Sequence, residues 1–180
     1  ATDNTITPAN VAVLRQTPYG IGRTAPLLFD QASGFVQKNG KSIREFVYSD
    51  IEDGYKSTAV SILAEHLIDS PKQIAVLKGN ATRPEQYAFF LNNGTTSPGT
   101  LAIFHSVRDE KIAGWGLWTT RTNDLFQSII SLNEHLVVSV KRQLNGSTVY
   151  TLEKFADTDS ITLDMKLTTT LNQKGTPLIQ

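Results

Sequence analysis

Apolar and polar positions alternate with a period of two along most of this chain. Successive side chains of a strand point to opposite faces, so this period predicts half-buried strands. Residues 10–16 set Val11, Val13 and Arg15 against Ala12, Leu14 and Gln16. Segments 26–30 and 33–37 bracket a turn at 30–33. Past residue 42, Ile43, Glu45 and Val47 alternate with Arg44, Phe46 and Tyr48. Further strands are expected at 73–77, 86–91, 101–105, 111–119, 126–132, 136–140 and 148–155. Breaker-rich stretches at 17–22, 49–55, 78–84 and 108–110 separate them. Residues 160–167 carry a last strand pattern in a polar, Thr-rich tail. One segment has a helical period: in 57–68, Val60, Leu63, Ala64 and Leu67 follow i, i+3, i+4 and i+7. Ser57 or Thr58 stands where a cap belongs, and Pro71 lies just past the end. That face is expected to be buried, leaving Glu65 and His66 toward solvent or a neighbouring subunit.

Three Asn-Gly pairs begin at Asn39, Asn93 and Asn145, 54 and 52 residues apart. Asn-Gly accepts the positive φ values of a tight hairpin turn, and 39–40 reads as a two-residue type I′ turn. Each pair has an apolar run on both sides. A repeat of this length, with three or four short strands per unit, is close to a propeller blade. The fold class expected is therefore all-β: propeller-like blades of short antiparallel strands with one short helix. A β-sandwich with evenly spaced hairpins is the alternative. Three units are fewer than a closed propeller uses, so one unit is degenerate or the chain belongs to a larger ring. Residues 1–155 form the expected β domain, part of a longer parent protein, and 156–180 a C-terminal strand and tail.

Composition agrees: 45 of 180 residues are Thr, Ile or Val, side chains that pack well on a pleated surface. Seventeen basic and seventeen acidic residues give zero net charge, which argues against a nucleic-acid or anionic-membrane binder. No apolar run reaches the ~20 residues of a spanning helix, and no basic-then-apolar start reads as a leader. With no Cys, disulfides, thiolate zinc sites and Cys nucleophiles are excluded together. A start at Ala rather than Met suggests a processed chain or an excised piece.

Candidate chemistry is sparse. His66, His105 and His135 are the only histidines, on separate predicted elements. A zinc site would need them to converge. Asp50, Glu52, Asp53 and Gly54 resemble part of a calcium loop, but Val60 stands where the closing bidentate Glu belongs. No G-x-S-x-G elbow supports a hydrolase, and nothing selects a carboxylate pair for glycan cleavage. Trp115 and Trp118, three apart in a strand, point to opposite faces, so one can be core while the other stacks on a sugar or anchors a neighbour. Arg44 and Glu45 read as solvent- or subunit-facing charge. No enzyme activity, cofactor or metal is expected.

Several blocks resemble the C-terminal third of large virion proteins of tailed phages and prophages. They are Arg15-Gln16-Thr17, Tyr19-Gly20, Phe35-Val36-Gln37, Gly40-Lys41, Arg44-Glu45-Phe46 with Tyr48, Asp53-Gly54-Tyr55, Leu63-Ala64-Glu65-His66-Leu67, a Trp-bearing strand, and Glu153-Lys154-Phe155. They run in the family's order over about 8–156. Members are tail, hub or stabilisation proteins, similar in role to tail tubular protein B, the nozzle of short-tailed phages. They are several times longer than this chain, and the 156–180 tail matches only loosely. The resemblance implies a structural tail component that forms or decorates a ring by self-association. Its implied partners are copies of itself and other tail proteins; a host surface polymer is the partner of the alternative reading. The implied location is the virion, and the host cytoplasm during assembly. The alternative is a receptor- or glycan-binding tail module. The candidates for an interface or glycan contact are Glu65, His66, Trp115 and Trp118.

Overall fold

The computed structural model describes residues 7–8, 11, 15–29, 32–51, 53–80, 85–108 and 110–155. The expected strand at 10–16 falls partly, and that at 160–167 wholly, outside them. Among the described residues eleven strands follow one another: β1 Leu27–Phe29, β2 Ala32–Val36, β3 Ile43–Ser49, β4 Gly54–Ala59, β5 Gln73–Leu77, β6 Gln86–Leu91, β7 Leu101–Val107, β8 Ile112–Trp118, β9 Leu125–Leu132, β10 His135–Leu144 and β11 Ser147–Lys154. They form three antiparallel sheets, β1-β2-β3-β4, β5-β6-β7-β8 and β9-β10-β11, each in sequence order. The fold is all-β, and none of the three sheets is closed.

The sheets stack face to face. Tyr87, Phe89, Leu91, Leu101 and Ile103 of the second sheet pack with Phe126, Ile129, Leu136, Val138 and Val140 of the third. Its opposite face, with Ala88, Phe90, Ala102 and Phe104, packs with Phe29, Val36 and Ile43 of the first, joined by Ile68. The central strands β6 and β7 of the second sheet are thus buried on both faces, which explains their long apolar runs YAFFL and LAIF. Each large apolar side chain so buried contributes roughly 1.5–3 kcal/mol. In β9, Phe126 and Ile129 both face inward although three apart, because the register with β10 shifts between Ser139 and Val140. A bulge adds one residue to one strand and resets which side chains face the core.

Each Asn-Gly pair joins the second and third strands of its sheet in the first two sheets and the last two strands of the third. Asn145 and Gly146 have φ 50° and 80° and close a two-residue loop between the paired Leu144 and Ser147, the type I′ geometry. The turn at 39–40 departs from expectation. Only Gly40 has positive φ (70°), and Gln37 N–H donates to Ser42 O across a longer loop. The segment before each first strand bonds near its own sheet's Asn-Gly hairpin. Gly20 O accepts from Lys38 N–H, Asp69 O from Gly94 N–H, and Asp124 Oδ1 from Gln143 N–H.

The helix expected over 57–68 does not form. Residues 57–59 end β4, and only a 3₁₀ turn, Glu65–Leu67, is helical. The backbone finds better partners in the sheet: Arg44 pairs with Ala59, Val60 N–H donates to Ile43 O, and Ser61 Oγ accepts from Ile43 N–H. A short helix in water needs a packed face to survive. Here Ala64 and Ile68 are buried, while Leu63 is 91% exposed, contrary to its expected place on a buried stripe.

Candidate functional site

The expected site residues separate by environment. Trp115 lies between the first and second sheets: its ring centroid is 4.8 Å from Phe104 and 5.6 Å from Phe90, and Nε1–H donates to Val60 O at 3.0 Å. Its polar tip is already satisfied, so it serves packing. Trp118 faces the other side, stacked on Phe155 at 4.8 Å and tilted against Phe89, with 41% of its surface exposed. The opposite orientation of the two rings agrees with the strand period. Glu65 and His66 are exposed on the 3₁₀ turn, where Glu65 Oε1 accepts from Ser42 Oγ. The structure does not bring these four residues into one site: the two Trp lie on opposite faces of the second sheet.

Charged groups act as clamps. Glu45, expected to face solvent or a subunit, is buried and accepts from Arg108 Nη2 at 2.9 Å, linking the first sheet to the second. Asp69 accepts from Lys41 Nζ at 2.8 Å and from the N–H groups of Thr96 and Ser97 at 2.8 and 2.9 Å. The Lys41 bond foremost, with those amides, holds its carboxyl below the usual carboxylate range. Asn92, fully buried, ties the same loop to Asp69 N–H and Leu67 O. In the third sheet Arg142 forks onto Glu153 through two 2.6 Å bonds and reaches Asp124 Oδ2 at 3.2 Å. The Gln143 amide first, then the two arginines, lowers the Asp124 carboxyl, and Arg142 lowers that of Glu153.

Among the described residues no three His, Asp or Glu side chains gather into a metal-binding group. Tyr48 O–H donates to Asp53 Oδ1 at 2.6 Å within the acidic β3–β4 turn. That bond raises the Tyr48 hydroxyl above its usual range. His105 stacks on Tyr87 at 4.9 Å in β7, away from the 3₁₀ turn that carries His66. A shallow open groove where β1 meets β5, lined by Thr24, Pro26, Leu27, Lys72 and Ile74, has one cation and no acid–base pair.

The surfaces that stand out are the outer faces of the two end sheets, which the sequence reading did not single out. On the third sheet, Ile130 pairs with Val137, and Ser139 and Lys141 pair with Leu152 and Tyr150, so all share the face turned from the core. Ile130, Leu132, Tyr150 and Leu152 are exposed there, Leu152 at 79%. On the first sheet, Leu28, Tyr48 and Tyr55 are exposed on the outer face, where Tyr55 stacks on Phe46 at 4.9 Å. The signal was present as apolar residues at both parities of 125–132 and 148–155. Comparison with known protein families and with curated proteins finds no match.

Proposed function

We propose that this chain is a structural module of a bacteriophage or prophage tail, forming or decorating a ring of the tail by association with copies of itself. The observation that carries this reading is the stack of three sequential meanders with an apolar outer face at each end. In this reading the stacked meanders serve as blades of a propeller-like body, which is supported by first strands that neighbour one another: β5 packs against both β1 and β9. Cross-sheet clamps such as Glu45–Arg108 stiffen the body, which suits a part that bears load. The motif blocks resembling large tail proteins support the same role. The chain carries no catalysis in this reading; among the described residues the buried Glu45, Asp69 and Asp124 are each paired with a basic side chain.

The test is immunogold labelling of phage particles from the strain that encodes the chain, with antibody raised against it. Label at the tail is expected; particles that carry none sink the tail reading. A second reading, a receptor- or glycan-binding tail module, is favoured by exposed aromatic rings, Tyr48 with Tyr55 on the first sheet and, separately, Trp118 on the second. Exposed rings of this kind stack on sugars. A glycan array separates the two: specific micromolar binding, lost on Trp118→Ala, selects the second.

A further inference from the structure

We infer that the outer face of the third sheet docks on the outer face of the first sheet of a second copy, continuing the stack head to tail. The inference rests on the self-association in the proposed function and names its surfaces. Inside the chain, the second sheet already shows what such a face requires, because it is covered by a neighbouring meander on each side. Among the described residues no meander covers the outer face of either end sheet, although Tyr19 lies over Arg44 on the first. The third sheet's outer face presents Ile130, Leu132, Tyr150 and Leu152 with Lys141 and Lys154, which form no ion pair among the described residues.

Charge decides between like and unlike faces. Two copies joined through their third sheets would set Lys141 and Lys154 against the same lysines. The first sheet's outer face instead has Leu28, Tyr48 and Tyr55 beside the acidic turn of Asp50 and Asp53. Its own cation, Arg44, is already held over the Tyr19 ring, 3.2 Å from the centroid, and by Gln37 Oε1 at 2.7 Å. An unlike, heterologous contact therefore matches apolar with aromatic and base with acid, and repeats into a ring or filament.

Strand spacing gives a plan area of about 400 Å² for a face of three eight-residue strands. That is the small end of subunit contacts, so a single contact is weak, of micromolar order, and closure of a ring strengthens it.

Sedimentation equilibrium over about 1–500 μM tests this on the full chain, with Leu152→Glu and Leu28→Glu, one on each exposed face. Burying an unpaired carboxylate disfavours contact. Circular dichroism verifies that both variants keep the parent fold. The unaltered chain should grow beyond a dimer with concentration, and each variant alone should stay monomeric. Their equimolar mixture should form dimers and stop there, since one unaltered pair of faces remains. A monomeric parent chain, or a mixture that stays monomeric, overturns the head-to-tail contact. So does a parent chain that stays monomeric while a version ending at Phe155 associates, which would assign the face to residues 156–180. Label on tails with a monomeric chain sinks this contact alone; self-association without tail label sinks the tail role alone.

Discussion

The Asp69 carboxylate occupies the space that a Cβ on Gly94 would take. Gly94 does not need a positive φ; it needs to be bare, because Asp69 O accepts from its N–H at 2.8 Å and the carboxylate caps the next residues of the same loop. Asp69 in turn binds Lys41 from the first sheet's hairpin, so one carboxylate joins the Asn-Gly loops of two neighbouring sheets.

Gly94→Ala should destabilise the chain by about 1–3 kcal/mol, the usual cost of forcing atoms into a filled site. Gly114→Ala is the control, since a Cβ there meets nothing within 4 Å. Urea unfolding of both variants reads the difference. Equal stabilities would remove Asp69–Gly94 as a close contact.

Gly40 and Gly146 both have positive φ, yet their substitutions should differ. A Cβ at Gly40 would lie 2.6 Å from Ser70 Oγ, whereas at Gly146 it enters open space. Gly146→Ala carries only backbone strain, about 1 kcal/mol. Gly40→Ala adds a clash and should cost visibly more, and Gly40→Val more again. Thermal melts rank the three.

Acid should unfold the chain through Asp69, Asp124 and Glu153. Their folded carboxyls titrate below their ordinary values, so the unfolded state binds more protons as pH falls. The stabilisation is complete above the unfolded values of about 4 and is lost below them, as pH falls through the folded values. The melting temperature should be level from pH 7 to about 5 and fall steeply below 4. Asp69→Asn should lower it at pH 7 and flatten the acid limb. An unchanged acid limb would show that Asp69 does not contribute to it.

The two tryptophans should report different surroundings. Trp118→Phe should remove most emission quenchable by iodide, leaving the shielded Trp115 between Phe90 and Phe104. Trp115→Phe loses the bond to Val60 O and should destabilise by about 1 kcal/mol. If quenching follows Trp115 instead, the placement of the two rings is reversed.

Period-two alternation and Asn-Gly spacing were enough, from the sequence alone, for the all-β class, most strand positions, and the positive φ at Gly40 and Gly146. These are local properties: face alternation and turn conformation depend on neighbours within a few residues. The tertiary structure decided the fate of 57–68, where helical spacing was present but pairing with β3 supplied the backbone partners first. It also turned Glu45 from a surface charge into a buried clamp, because its partner Arg108 stands 63 residues away. The stacking order of the sheets, and hence which apolar faces are left at its ends, arises from contacts between distant strands. Apolar residues at both parities of β9 mark a strand with two greasy faces, but only the stack shows which face found a neighbour.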